Sequence, residues 1–147
     1  MDKRRHGTLK KYGISQKRYK ELKGFCEQYP EFLQELRNDV ISPKSQIITG
    51  MPFSKTNAKV DETANIAIRR AMMEEKVRLI EETAQEASPD LWEYIIKSAC
   101  YEQSFYYLQS VAEIPISYSA FFDARRYFFY LLDKRKMWTK NKGEYVI

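Results

Sequence analysis

Along most of this chain the apolar residues recur at intervals of three or four, and no stretch alternates with period two for long enough to compete. That spacing is the mark of amphipathic helices, so the chain reads as all-α. Caps and breakers divide it into about six helices. Ser15 is placed to cap a first helix with Tyr19, Leu22, Cys26 and Tyr29 on one side. Pro30 suits the first turn of a second, shorter helix that buries Phe32, Leu33 and Leu36. Residues 38–60 hold Pro43, Gly50 and Pro52 among Ser, Thr and Asn, and read as a loop or linker. Asp61 then caps a long helix over 62–87, with Ala64, Ile68, Met72, Leu79 and Ala84 as its apolar stripe.

Ser88-Pro89-Asp90 combines a capping serine, a proline at the first helical position and an acid in the first turn. The helix after it buries Leu91, Trp92, Ile95, Ile96 and Ala99. A short helix over 104–111 follows, with Phe105, Tyr107, Leu108 and Val111 apolar, and Glu113-Ile114-Pro115-Ile116 ends it. Ser117 caps a last helix over 118–136. The expected organisation is a basic flexible tail over 1–14, a helical pair and loop over 15–60, a long helix with a helix-turn-helix over 61–137, and a tail over 138–147.

The 147 residues suffice for a core without staples. No apolar run approaches a membrane-spanning length and the basic N-terminus lacks a leader-like stretch, so a soluble intracellular protein is expected, with no membrane partner. Cys26 and Cys100 stand far apart and His6 is the only histidine, which leaves no zinc set and no cysteine–histidine pair. Both cysteines read as small buried hydrophobes. No glycine-rich phosphate loop or hydrolase elbow occurs. Glu74, Glu75, Glu81, Glu82 and Glu86 lie among Lys76 and Arg78 and read as a solvated face. Neither an enzyme, a cofactor nor a metal site is expected.

The net charge of +5 is unevenly spread. Residues 1–23 carry +7, residues 24–116 carry −6 and residues 117–142 carry +5. Basic segments suit polyanions, although short basic tails are often only solvated. The short helix, turn and capped basic helix follow the order of a helix-turn-helix DNA reader. On the last helix Phe121, Ala124, Phe128 and Leu132 form the core stripe, widened by Leu131 or Phe129. That leaves Tyr118, Ser119, Asp123, Arg125 and Arg126 for DNA, with Lys134, Arg135 and Lys136 near phosphates at the far end. Phe122 reads as packing or as a thymine-methyl contact, and Tyr127 and Tyr130 can face either way.

From residue 19 to 136 the chain resembles the RinA/ArpU-type late-gene activators of phages and prophages of low-GC Gram-positive bacteria. The resemblance lies in Cys26-Glu27-Gln28-Tyr29-Pro30, Leu33-Gln34-Glu35-Leu36, Ile68-Arg69-Arg70 and Ile116-Ser117 with Phe121, Ala124, Arg126, Phe128 and Leu132. The last spacing is also similar to the final helix-turn-helix of bacterial sigma factors. The resemblance implies a sequence-specific transcriptional regulator that binds double-stranded DNA and acts with host RNA polymerase. Where relatives carry a polar recognition helix, this chain has Phe121-Phe122 and Tyr127-Phe128-Phe129-Tyr130, which favours a further packing partner such as a second subunit in a homodimer. Two other readings stay open: a terminase small-subunit-like packaging protein assembled through the long helix, and a helical module that binds a host protein.

Overall fold

The computed structural model describes residues 9, 11–46 and 56–146, with side chains over 9, 11–38 and 61–137. Every regular element among them is a helix, as the periodicity requires. In chain order these are α1 (Gln16–Glu27), α2 (Tyr29–Gln46), α3 (Thr56–Ala87), α4 (Trp92–Cys100), α5 (Phe105–Ser110) and α6 (Tyr118–Val146). None is long and apolar enough to cross a membrane among the described residues.

Three serines start helices, Ser15 and Ser117 as their positions predict and Ser104 in addition. The Arg18 amide donates to Ser15 Oγ at 3.2 Å, the Tyr107 amide to Ser104 Oγ at 3.2 Å and the Ala120 amide to Ser117 Oγ at 3.4 Å. Each such cap satisfies an amide that the helix itself leaves unpaired, a contribution of about 1 kcal/mol. Ser88 behaves differently: its carbonyl accepts from the Leu91 amide at 3.3 Å, and α4 begins at Trp92 without a side-chain cap. Asp61 lies inside α3, which starts at Thr56, and so caps nothing.

Two compact units divide the chain. One comprises residues 1–28 and 79–147, the other Tyr29–Arg78. These boundaries differ from those expected at residues 14 and 60. In the first unit α1, α4 and α6 pack against one another. Leu22 and Cys26 of α1 face Ile95, Ile96, Ala99 and Cys100 of α4 and the phenylalanines of α6 within one buried core. Ile80, Thr83 and Ala84 bury one face of the last turns of α3. Thr83 is satisfied there, donating to the Leu79 carbonyl and accepting from Arg135 Nη1 at 3.1 Å.

Residues 9 and 11–14 do not form the loose tail expected of them. Leu9 and Ile14 are buried, and Gly13 at φ +74° turns the chain so that the Ile14 amide reaches the Leu9 carbonyl at 3.2 Å. Glycine adopts that left-handed conformation without the Cβ clash other residues meet. The expected tail over 1–8 lies outside the described residues.

In the second unit Tyr29 and Phe32 are the buried side chains among the described residues. Polar contacts join α2 to α3: Arg69 pairs with Glu35 at 3.1 Å, Arg70 Nη1 donates to the Leu36 carbonyl at 3.2 Å, and Lys76 Nζ lies 5.2 Å from the Phe32 ring centroid. The stripe expected on the long helix is overturned here. Ile68 and Met72 are 59% and 52% exposed, and Ala64 is exposed as well. A loosely amphipathic sequence leaves the buried face to whatever neighbour is present.

The expected loop is also shorter than its composition suggests. Residues 39–46 and 56–60 are helical, and 47–55 lie outside the described residues. Polar residues cost a helix only a few tenths of a kcal/mol each, so the absence of an apolar period does not forbid one. Likewise the tail expected from residue 138 continues α6 to Val146.

Candidate nucleic-acid interface

The short helix α5, a turn over 111–117 and α6 follow one another in the order the sequence suggests. The turn is held by the Val111 amide on the Tyr107 carbonyl at 2.8 Å and the Ile114 amide on the Leu108 carbonyl at 3.1 Å. Glu113 takes φ 52° to allow it, and Leu108 and Ile114 are buried beneath. The segment before α5 uses the same device: Glu102 at φ 55° and the Gln103 amide on the Lys97 carbonyl at 3.1 Å.

Aromatic rings then lock α5 to the start of α6. The Phe105 centroid lies 5.3 Å from Tyr118, 5.6 Å from Phe121 and 6.2 Å from Phe122, and Tyr118 lies 4.4 Å from Phe122. Edge-to-face and tilted pairs of this kind add about 0.5–1.5 kcal/mol each beyond burial. Phe122 is buried, as the packing reading had it. The first turns of α6 present Tyr118, Ser119 and Asp123 outward.

The five cations expected on the DNA face divide sharply. Arg125 is 8% exposed and belongs to the core. Its Nε donates to Ser98 Oγ at 3.1 Å and its Nη1 to the Tyr19 hydroxyl at 3.1 Å. The Phe129 and Phe122 ring centroids lie 4.9 and 5.8 Å from the guanidinium carbon. The expectation that Arg125 faces DNA is therefore overturned. It sits four residues after Phe121, three before Phe128 and four before Phe129, which is a core position by spacing. Only its charge suggested otherwise.

Arg126 is half-buried and pairs with Asp123, while its Nε is buried without an acceptor. Arg135 pairs with Glu86 and donates to Thr83. Lys136 lies 3.8 Å from Glu21 and over the Phe25 ring at 4.3 Å. Both are half-buried in the packing of α6 against α3 and α1, so their charge is largely met within the protein. Lys134 remains exposed, with Nζ 4.6 Å from the Tyr130 centroid.

Between Lys97 and Arg125 the sequence holds no lysine or arginine, only the acids Glu102, Glu113 and Asp123. Among the exposed side chains there are several large apolar ones: Tyr106 at 78%, Val111 at 62%, and Tyr101, Tyr107 and Tyr118 at 43–45%. The apolar count of α5 hid this surface, because a six-residue helix buries only one side, here through Leu108.

Elsewhere the chemistry is closed. Cys26 and Cys100 are buried free thiols, and the hydrogen bond shared with Cys26, together with burial, holds the Cys100 thiol far above its ordinary range. A cleft between α1 and α6 is lined by Arg18, Glu21, Leu22, Asp133, Lys136 and Met137, but its charges pair across it as Arg18–Asp133 and Lys136–Glu21. Among the described residues no three potential metal ligands come together. Comparison of the chain with protein-family models, with curated proteins and with solved structures returned no match.

Proposed function

We propose that this chain is a sequence-specific, double-stranded DNA-binding transcriptional regulator of phage or prophage genes, acting with host RNA polymerase in the bacterial cytoplasm. The reading rests on the family resemblance and on one observation. After a pinned turn, the capped start of α6 exposes Tyr118, Ser119 and Asp123, while Phe121 and Phe122 hold its inner side rigid. A rigid helix end with short polar groups suits the major groove. Ser119 can donate to or accept from base edges, Asp123 can accept from a cytosine amine, and the Tyr118 hydroxyl can reach a phosphate. In this reading Arg125 shapes the helix and does not read bases. The aromatic character of α6 is consumed mainly by its own core, and a homodimer is a separate question answered by light scattering.

The test is binding to labelled duplexes from the phage genome that encodes it, against random duplex, at two salt concentrations. Ser119→Ala and Asp123→Ala should each lower the ratio of specific to random affinity, by about 1–3 kcal/mol for a base contact. An unchanged ratio in both variants, or no preference in the parent protein, removes the reading.

The exposed tyrosines of α5 favour a second reading, a helical module that binds a protein partner. An aromatic surface rimmed by Glu102 and Glu113 repels phosphate and suits a polypeptide. Loss of partner binding in Tyr106→Ala with DNA affinity intact would support it.

A further inference from the structure

We infer that the outer face of α6 carries a second, sequence-independent contact to the DNA backbone, built from Lys11, Tyr127, Tyr130 and Lys134. This rests on the reading of the chain as a duplex-DNA binder and extends it to residues beyond the first turns of α6.

Ser119, Asp123, Tyr127, Tyr130 and Lys134 follow one another at intervals of four, four, three and four, so they form one stripe along the helix. The opposite side is buried through Phe121, Arg125, Phe128, Phe129 and Leu132. At 1.5 Å per residue the stripe extends about 22 Å, nearly twice the ~12 Å width of the major groove. With Ser119 and Asp123 in the groove, its far half lies beyond the groove edge, where the sugar-phosphate backbone runs.

The far half is built to meet phosphate. Tyr127 and Tyr130 stack with centroids 6.1 Å apart and planes 24° from parallel. Tyr12 packs on Tyr130 at 4.9 Å, and the buried Leu9 and Ile14 fix the segment on either side. That anchorage holds the segment carrying the exposed Lys11 against Tyr130, whose ring also lies 4.6 Å from Lys134 Nζ. Arg18, Arg126, Arg135 and Lys136 are each paired with a carboxylate. Neither Lys11 nor Lys134 pairs with a carboxylate of the described residues, and Asp133 beside Lys134 is taken by Arg18. Two ammonium groups with no carboxylate partner among the described residues suit an anion and carry no base preference.

The experiment is fluorescence anisotropy of a labelled random-sequence duplex over a salt series, using the full chain. In the Lys11→Ala/Lys134→Ala variant the slope of log K against log salt should become shallower by about two, at ~0.9 per phosphate contact. Affinity for a specific duplex should fall by the same factor, leaving the specific-to-random ratio unchanged. Tyr127→Phe/Tyr130→Phe should weaken both equally, and Lys20→Ala, an exposed lysine of α1, should leave the slope as it was. Melting curves of all variants should match the parent, because these side chains lie outside the core.

A double lysine variant with the parental slope overturns this contact while leaving α6 as reader, provided Ser119→Ala and Asp123→Ala still lower specificity. An equal loss in Lys20→Ala also overturns it, since the effect is then diffuse charge. A parent protein without salt-dependent duplex binding overturns this contact and the functional reading together.

Discussion

Arg125 Nη1 lies 3.1 Å from the Tyr19 hydroxyl, so a guanidinium joins α6 to α1 inside the core. Its Nε adds Ser98 of α4, and the three mutually packed helices thereby meet at one side chain. Such a fork cannot be reproduced by a single ammonium group. Arg125→Ala leaves a hydroxyl on each of two helices without its donor and opens a cavity beside Phe129. It should lower stability by about 3 kcal/mol in urea unfolding. Arg125→Lys should recover only part of this. A variant within about 0.5 kcal/mol of the parent would return Arg125 to the surface.

Ile14 and Ile68 test which apolar residues form the core. Ile14 is 2% exposed and Ile68 is 59% exposed, although only Ile68 lies in a helical stripe by sequence. Ile14→Ala should cost about 2–5 kcal/mol, whereas Ile68→Ala should change stability by less than about 0.5 kcal/mol. Thermal unfolding of the two variants side by side separates them.

Glu113 holds φ 52° in the turn between α5 and α6. A left-handed conformation costs an L-residue with a Cβ roughly 1–2 kcal/mol, and glycine escapes it at an entropic cost of roughly 0.5–1 kcal/mol. Glu113→Gly should therefore stabilise the protein by about 0.5–1 kcal/mol, read as a higher Tm. Glu113→Val, β-branched, should do the opposite.

The Cys100 thiol is held above its ordinary value of 9.0 by the hydrogen bond with Cys26 and then by burial, with the Arg125 charge pulling the other way. The native state therefore keeps its proton where the unfolded chain releases it. The stabilisation is complete below about pH 9 and declines as the pH rises beyond it, at up to about 1.4 kcal/mol per pH unit. Urea midpoints between pH 7 and 10.5 should fall accordingly, and Cys100→Ala should be less stable at neutral pH but flatter above pH 9. In the native state neither thiol should react with a bulky disulfide reagent, while both should in denaturant.

The readings that held share a local cause. The all-helical class, the serine caps at 15 and 117, and the buried Phe121, Phe128 and Leu132 follow from spacing and from hydrogen bonds within one turn. The readings that changed depend on neighbours far along the chain. The charge of Arg125 points it outward and its spacing points it inward, and Tyr19 and Ser98 offer it acceptors inside. Arg135 and Lys136 looked like free cations until Glu86 and Glu21 came beside them. Leu9 and Ile14 carried no helical period, and Gly13 was the one local hint of an ordered turn.

By itself the sequence determined the helical class, the capped start of α6 and the uneven distribution of charge, because each depends on residues within a few positions of one another. The tertiary structure alone decided which charges face solvent. An ion pair or a buried hydrogen bond needs a partner from another helix, and here partners 106 residues away for Arg125 and 115 away for Arg18 made that choice.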